Sequence, residues 1–121
     1  SEMFALVNSE RVKRGVKPLI WDPQITLVAR IHSKDMWERG YFSHINPDGK
    51  DPFDRMREGS IHFNAAGENL ALAPTVSLAH TGLMNSEGHR KNILESSYGR
   101  IGIGVIDGGI YGKMFVQNFA D

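Results

Sequence analysis

Apolar positions in this chain change period along its length, and the changes mark out its elements. From Glu2 to about Arg14, Met3, Leu6 and Val7 make a short stripe at helical spacing, and Gly15 is placed to cap its end. The next helical pattern is the strongest. Asp22 is suited to the N-cap and Pro23 to the first turn, and Ile25, Val28, Ala29, His32 and Met36 fall on one face. Leu27 and Ile31 widen that face, which predicts a helix buried over much of its circumference and ended by Gly40. Asn46-Pro47-Asp48-Gly49 reads as a turn. Pro52 to Glu58 reads as a short helix ending at Gly59. Thr75 can cap a helix through Asn85, with Val76, Ala79, His80 and Leu83 on one face, and a short helical turn is expected from Arg90 to Leu94.

The last stretch switches to period two. Ile101, Ile103 and Val105 alternate with Gly102 and Gly104, the pattern of a strand with one apolar and one nearly bare face. Asp107-Gly108-Gly109 is a hairpin signal, Tyr111 to Phe119 returns as a second strand, and Ala66 to Leu72 supplies a third. The expected fold is α+β: about three antiparallel strands with helical layers on both sides, in one domain spanning residues 1–121.

Composition narrows the function classes. Lys plus Arg and Asp plus Glu each number 14, so the formal net charge is zero. That argues against a nucleic-acid partner and against electrostatic docking on anionic lipid. There is no cysteine, which excludes a disulfide scaffold, a thiolate zinc site and a cysteine nucleophile. No apolar run approaches the roughly 18 residues of a transmembrane helix. The chain opens directly on helix-forming residues, with no recognisable signal peptide, and a monomer is expected.

Three short polar signals carry the candidate chemistry: Ser43-His44, Gly67-Glu68-Asn69 and Glu87-Gly88-His89. Glu68 precedes the apolar run Leu70-Ala71-Leu72. A carboxylate at the head of a buried strand is costly without a partner, and His side chains or backbone N–H groups are the expected donors. Glu87 and His89 lie two apart. In a helix they diverge by about 200°, so they converge only in an extended or turn conformation, which Gly88 makes accessible. Ser86 can cap the helical turn that follows and fix His89 near its start. His32 and His80 lie on apolar helix faces and read as satisfied core residues, and His62 as surface or loop. Arg11, Arg55 and Arg90 read as ion-pairing or capping groups. No Gly-x-Ser-x-Gly elbow supports a serine nucleophile at Ser43 or Ser86. No His-Glu-x-x-His motif or Cys pair is present, so a metal site must be assembled from distant segments.

At these residues the chain resembles the CAP superfamily, also called the SCP or cysteine-rich secretory/antigen 5/pathogenesis-related 1 family. The resemblance begins at Leu6-Val7-Asn8-x-x-Arg11, Pro18-Leu19-x-Trp21-Asp22 and His32-Ser33-x-Asp35-Met36. It continues through Ser43-His44, Gly67-Glu68-Asn69-Leu70-Ala71 and Asn85-Ser86-x-Gly88-His89-Arg90-x-Asn92-Ile93-Leu94. It closes on Ile101-Gly102-Ile103-Gly104-Val105 and Phe115-Val116-Gln117-Asn118-Phe119. The resemblance implies a three-layer α/β/α sandwich with a small central antiparallel sheet. It also implies a cleft lined by two His and two Glu, here His44, Glu68, Glu87 and His89. In such relatives the two histidines coordinate zinc or another divalent cation, with the glutamates nearby. Family members are mostly secreted or attached to the cell envelope, with ascribed roles in defence, signalling, lipid or sterol binding and, in a few cases, proteolysis. The chain lacks the disulfides and the Gly-His-aromatic-Thr-Gln signature of eukaryotic members, in the manner of the cysteine-free bacterial branch.

Three readings of the cleft follow. The leading one is a secreted or envelope binding or signalling module, with a divalent cation such as zinc held weakly by His44 and His89 and supported by Glu68 and Glu87. Its partner would be a small ligand, a peptide or a cell-wall component. The second is a metal-assisted hydrolase of peptide or cell-wall material, with Glu68 or Glu87 as general base. The third is a polar cluster that only fixes the loops of a vestigial cleft.

Overall fold

The computed structural model describes all residues from Ser1 to Asp121. In chain order the elements are α1 (Glu2–Lys13), β1 (Ile20–Trp21), α2 (Pro23–Arg39), α3 (Pro52–Glu58), β2 (Ala66–Ala73), α4 (Val76–Met84), α5 (Glu87–Leu94), β3 (Arg100–Asp107) and β4 (Lys113–Ala120). The strands form one sheet in the order β1-β3-β4-β2. The three long strands pair antiparallel, and the two-residue β1 runs parallel to β3. The sequence pattern does not predict β1: two residues are too few to show a period, and only pairing with the distant β3 defines them.

Alternation along β3 and β4 divides the molecule into layers. Ile101, Ile103, Phe115 and Phe119 point to one side and pack with Met3, Val7, Ala79, Leu83 and Ile93 from α1, α4 and α5. Val116 and Ala120 point to the other side, against Ile25, Val28, Ala29 and Met36 of α2 and Met56 of α3. The layering is α/β/α.

The bare face of β3 has a steric cause. A Cβ on Gly102 would sit 2.2 Å from the backbone nitrogen of Thr26, and one on Gly104 would sit 2.4 Å from the Ala29 carbonyl. The α2 backbone therefore rests directly on the strand. Asp22 starts α2 as expected, its carboxylate accepting from Gln24 N at 2.8 Å and Ile25 N at 3.0 Å.

Two expectations need correcting. Leu27 and Ile31 do not widen the buried face of α2; they are 60% and 58% exposed. Alpha-2 covers the sheet and its outer face, which carries Leu27 and Ile31, is open, so one buried face suffices. The strand expected from Tyr111 starts at Lys113, because Gly109–Tyr111 form a 3-10 turn between β3 and β4. Gly109 and Gly112 supply the positive φ values, 61° and 87°, that this turn requires.

Candidate functional site

Beta-2 lies at the edge of the sheet; Glu68 stands on it, and His44 and the His89 backbone are bonded to its residues. Glu68 is paired in register with Asn118 of β4 and faces the α2–α3 layer. Its side chain is only 1% exposed. Arg55 of α3 meets it with both terminal nitrogens, Nη1 donating to Oε2 at 2.8 Å and Nη2 to Oε1 at 3.0 Å. Asn118 Nδ2 donates to Oε2 at 2.9 Å, and His44 Nδ1 donates to Oε1 at 2.8 Å. The partner demanded by the sequence is thus a histidine, as expected, joined by a guanidinium and an amide in place of backbone N–H groups. Burial alone would raise the Glu68 pKa. The His44 and Arg55 hydrogen bonds, the Arg55 charge and the Asn118 amide outweigh it and hold the carboxyl below its ordinary value.

His44 stands in the connection between α2 and α3, with its side chain 49% exposed. Its Nδ1 carries the proton shared with the ionised Glu68, so in the neutral ring Nε2 is a lone pair. Nε2 makes no hydrogen bond within the protein. Arg55 Nη2 also donates to the His44 carbonyl at 2.7 Å. One guanidinium thereby fixes both the loop and the carboxylate to which the loop's histidine is bound.

His89 comes from the opposite layer. The helical turn expected from Arg90 begins earlier, at Glu87, so Glu87 and His89 both lie in the first turn of α5. The turn conformation that would make them converge is absent, and the helix sends them to different sides. Glu87 is exposed and makes no hydrogen bond or ion pair; as an acid in the first turn it complements the helix dipole. Ser86 occupies the N-cap position without capping through its side chain. Its hydroxyl bonds His89 Nδ1 at 2.8 Å instead, leaving His89 Nε2 without a protein partner. Burial, and then the nearby His44, hold the His89 imidazole below its ordinary pKa.

Two asparagines join α5 to the edge of β2. Asn69 Nδ2 donates to the His89 carbonyl at 3.0 Å. Asn92 Nδ2 donates to Asn69 Oδ1 at 2.9 Å and to the Glu68 carbonyl at 3.3 Å. A Cβ on Gly67 would meet the Tyr98 hydroxyl at 2.4 Å and Asn92 Oδ1 at 3.1 Å, so a side chain here would displace Tyr98 and crowd Asn92. Both asparagines stand inside the polar segments of the sequence, yet their roles depend on a strand–helix contact that sequence spacing does not reveal. Ser86, a cap by its position, is the partner of a histidine.

The remaining polar residues behave as scaffolding. Arg11 is fully buried and donates to the carbonyls of Lys17, Ile93, Glu95 and Tyr98. Arg90 Nη1 donates to the Met84 carbonyl at 3.0 Å. No group of three or more His, Asp or Glu side chains is arranged to hold a metal ion. The donor set offers two imidazoles only. Each has one nitrogen anchored by a protein oxygen and the other open, the arrangement found for metal-ligating histidines.

The α/β/α sandwich, with β2 at the edge of its sheet, is the fold of SCP-type domains. The chain belongs to CAP, the cysteine-rich secretory protein family, whose model matches residues 4–119. It is 42% identical over 117 residues to YkwD of Bacillus subtilis (strain 168), covering 95% of this chain and 46% of that protein. It is 41% identical over 119 residues to the membrane protein YlbC of the same organism, covering 98% of this chain and 33% of that one. The chain thus spans less than half of either relative. An extracellular SCP-domain protein from Bacillus anthracis str. Ames superposes with a TM-score of 0.89 at 40% identity, over 98% of this chain and 39% of that one. An outer surface protein of Borrelia burgdorferi shares the fold, with a TM-score of 0.92 at 20% identity, over 98% of this chain and 89% of that one.

Proposed function

We propose that this CAP domain works outside the cytoplasm as a binding module, and that its cleft takes a divalent cation, zinc above all, through Nε2 of His44 and His89. The observation that carries this reading is the matched anchoring of the two rings. His44 Nδ1 is held by Glu68 and His89 Nδ1 by Ser86, each at 2.8 Å, and both Nε2 atoms are left without protein partners. Imidazole nitrogens suit zinc, and an oxygen partner on the far nitrogen fixes ring orientation and raises ligand basicity. Two protein ligands make a weak, exchangeable site that a small ligand, peptide or cell-wall component can complete through an oxygen. The extracellular character of the 40% identical Bacillus anthracis protein supports the location.

Glu68 is poorly suited to be a general base. A carboxylate saturated by Arg55, Asn118 and His44, with its pKa held down, has little appetite for a proton. Its role is to orient His44. Glu87 is exposed and unpaired, and the helix turns it away from His89. The binding reading therefore stands ahead of the hydrolase.

Calorimetric titration with zinc tests the proposal directly. The wild-type protein is expected to bind one equivalent, and the His44→Ala/His89→Ala protein none. Equal heats from the two proteins would remove the metal site.

A further inference from the structure

We propose that His32 is a positioning residue for His44, setting its backbone from the interior of α2. His32 lies on the buried face of α2 among Val28, Ala29 and Met36, where it reads from sequence as a core histidine. Its bond leaves that helix. His32 Nε2 donates to the carbonyl of Ser43, eleven residues on, at 2.9 Å.

The position of that carbonyl gives the bond its consequence. The Ser43 carbonyl belongs to the peptide plane before the His44 Cα, and the His44 carbonyl to the plane after it. His32 holds the first and Arg55 Nη2 holds the second, at 2.7 Å. Fixing both planes fixes φ and ψ of His44, and with them the direction of its Cα–Cβ bond. The Glu68 bond then sets only the rotation of the side chain. A half-exposed histidine in an irregular connection is thereby aimed by two buried residues, one on α2 and one on α3.

His32 is itself oriented. It is 1% exposed, and its ring lies against Tyr41 with centroids 5.8 Å apart and planes at 59°. The single hydroxyl proton of Tyr41 goes to Asp35, which Arg39 binds through two nitrogens. Burial first, then the Arg55 charge, keep His32 below its ordinary pKa. The ring is neutral, and its one proton must sit on Nε2 to meet Ser43. A groove of about 290 Å³, lined by His32, Asp35, Arg39 and Arg55 among others, adjoins the ring.

The test compares His32→Leu, which keeps an apolar body and loses the donor, with His32→Gln, whose amide nitrogen reaches close to the place of Nε2. The first readout needs no metal. In the wild-type protein the backbone ¹⁵N order parameter at His44 is expected near the rigid value of about 0.85, and in His32→Leu it is expected to fall toward about 0.6. His32→Gln should restore it, and Val116 in β4 should not change in either variant. The second readout rests on the metal reading above: zinc affinity measured by calorimetry should drop about tenfold in His32→Leu and recover in His32→Gln. If His32→Leu does not fold, His32→Asn replaces it, being polar but too short to reach Ser43. An unchanged order parameter at His44 in the donor-less variant overturns the positioning role, whatever zinc does. A wild-type protein that ignores zinc overturns the metal reading alone.

Discussion

Arg55→Met tests how the buried ion pair is held. Arg55 is 7% exposed and the Glu68 side chain 1%, so the substitution strands a carboxylate that cannot turn to solvent. Removing one partner of such a pair costs about 3–5 kcal/mol. For a chain of 121 residues the unfolding entropy is about 0.25 kcal/mol/K, so the melting temperature should fall by about 12–20 °C. The pH dependence identifies the cause. In the wild-type protein Glu68 has a lowered pKa, so its contribution is complete above the unfolded value and is lost as pH falls through the folded one. Without the Arg55 hydrogen bonds and charge, burial is opposed only by His44 and Asn118 and the folded pKa rises relative to wild type, so acidification relieves the variant. The stability gap should therefore narrow steadily from pH 7 to pH 4. Replacing both residues, as Arg55→Met/Glu68→Leu, should recover much of the loss at pH 7, since no uncompensated charge remains. Urea unfolding followed by the fluorescence of Trp21 and Trp37 gives each free energy, and a thermal melt gives the temperature shift. A loss under about 1 kcal/mol, or a gap independent of pH, would refute the reasoning.

Gly102→Ala should destabilise by about 1–3 kcal/mol or more, because its Cβ would meet Thr26 and Ile25 backbone atoms at 2.2–2.3 Å; a melt within a degree of wild type would show that α2 can move off β3 freely. His32 and His80 both have pKa values lowered chiefly by burial, so the unfolded chain binds more protons below about pH 6.5 and stability should decline from there toward acid. His80 Nδ1 is buried without a partner, so His80→Leu should make that decline shallower at little cost at pH 7.5; parallel stability profiles would contradict this.

The elements legible in sequence are those whose signals are local. Asp22-Pro23 states a helix start whatever surrounds it, and the alternation of Ile101 to Val105 states a strand. The misreadings share a cause. Leu27 and Ile31 fit the apolar pattern of α2, but whether an apolar residue is covered depends on what lies beyond the helix, and nothing lies there. Glu87 and Gly88 fall outside the helical turn expected from sequence because glycine is a poor helix former. The extra turn is secured by Asn69 of β2 reaching the His89 carbonyl, a contact across 20 residues. The same holds for β1, which exists only because Ile20 and Trp21 pair with Arg100 and Ile101.

The site is half legible for a related reason. That Glu68 requires a partner follows from burial alone, and Ser43-His44 is a reasonable donor. That Arg55 is the main counter-charge requires knowing which face of a seven-residue helix turns toward β2. The identity of that partner changes how Glu68 is understood. A buried Arg–Glu pair contributes little net stability over apolar residues of the same volume, because desolvation offsets most of the attraction. What it does contribute here is direction. The Arg55 guanidinium binds both Glu68 oxygens and the His44 carbonyl, so it fixes the acceptor of the His44 ring and the backbone that carries the ring in one rigid fork. An apolar pair could fill the same space, but it would leave His44 free to turn. If the cluster were only a plug for a vestigial cleft, nothing would require His44 to keep one imidazole nitrogen bound to Glu68 and the other open at a half-exposed surface. The energetic cost of the pair is understandable if what it secures is the orientation of that ring.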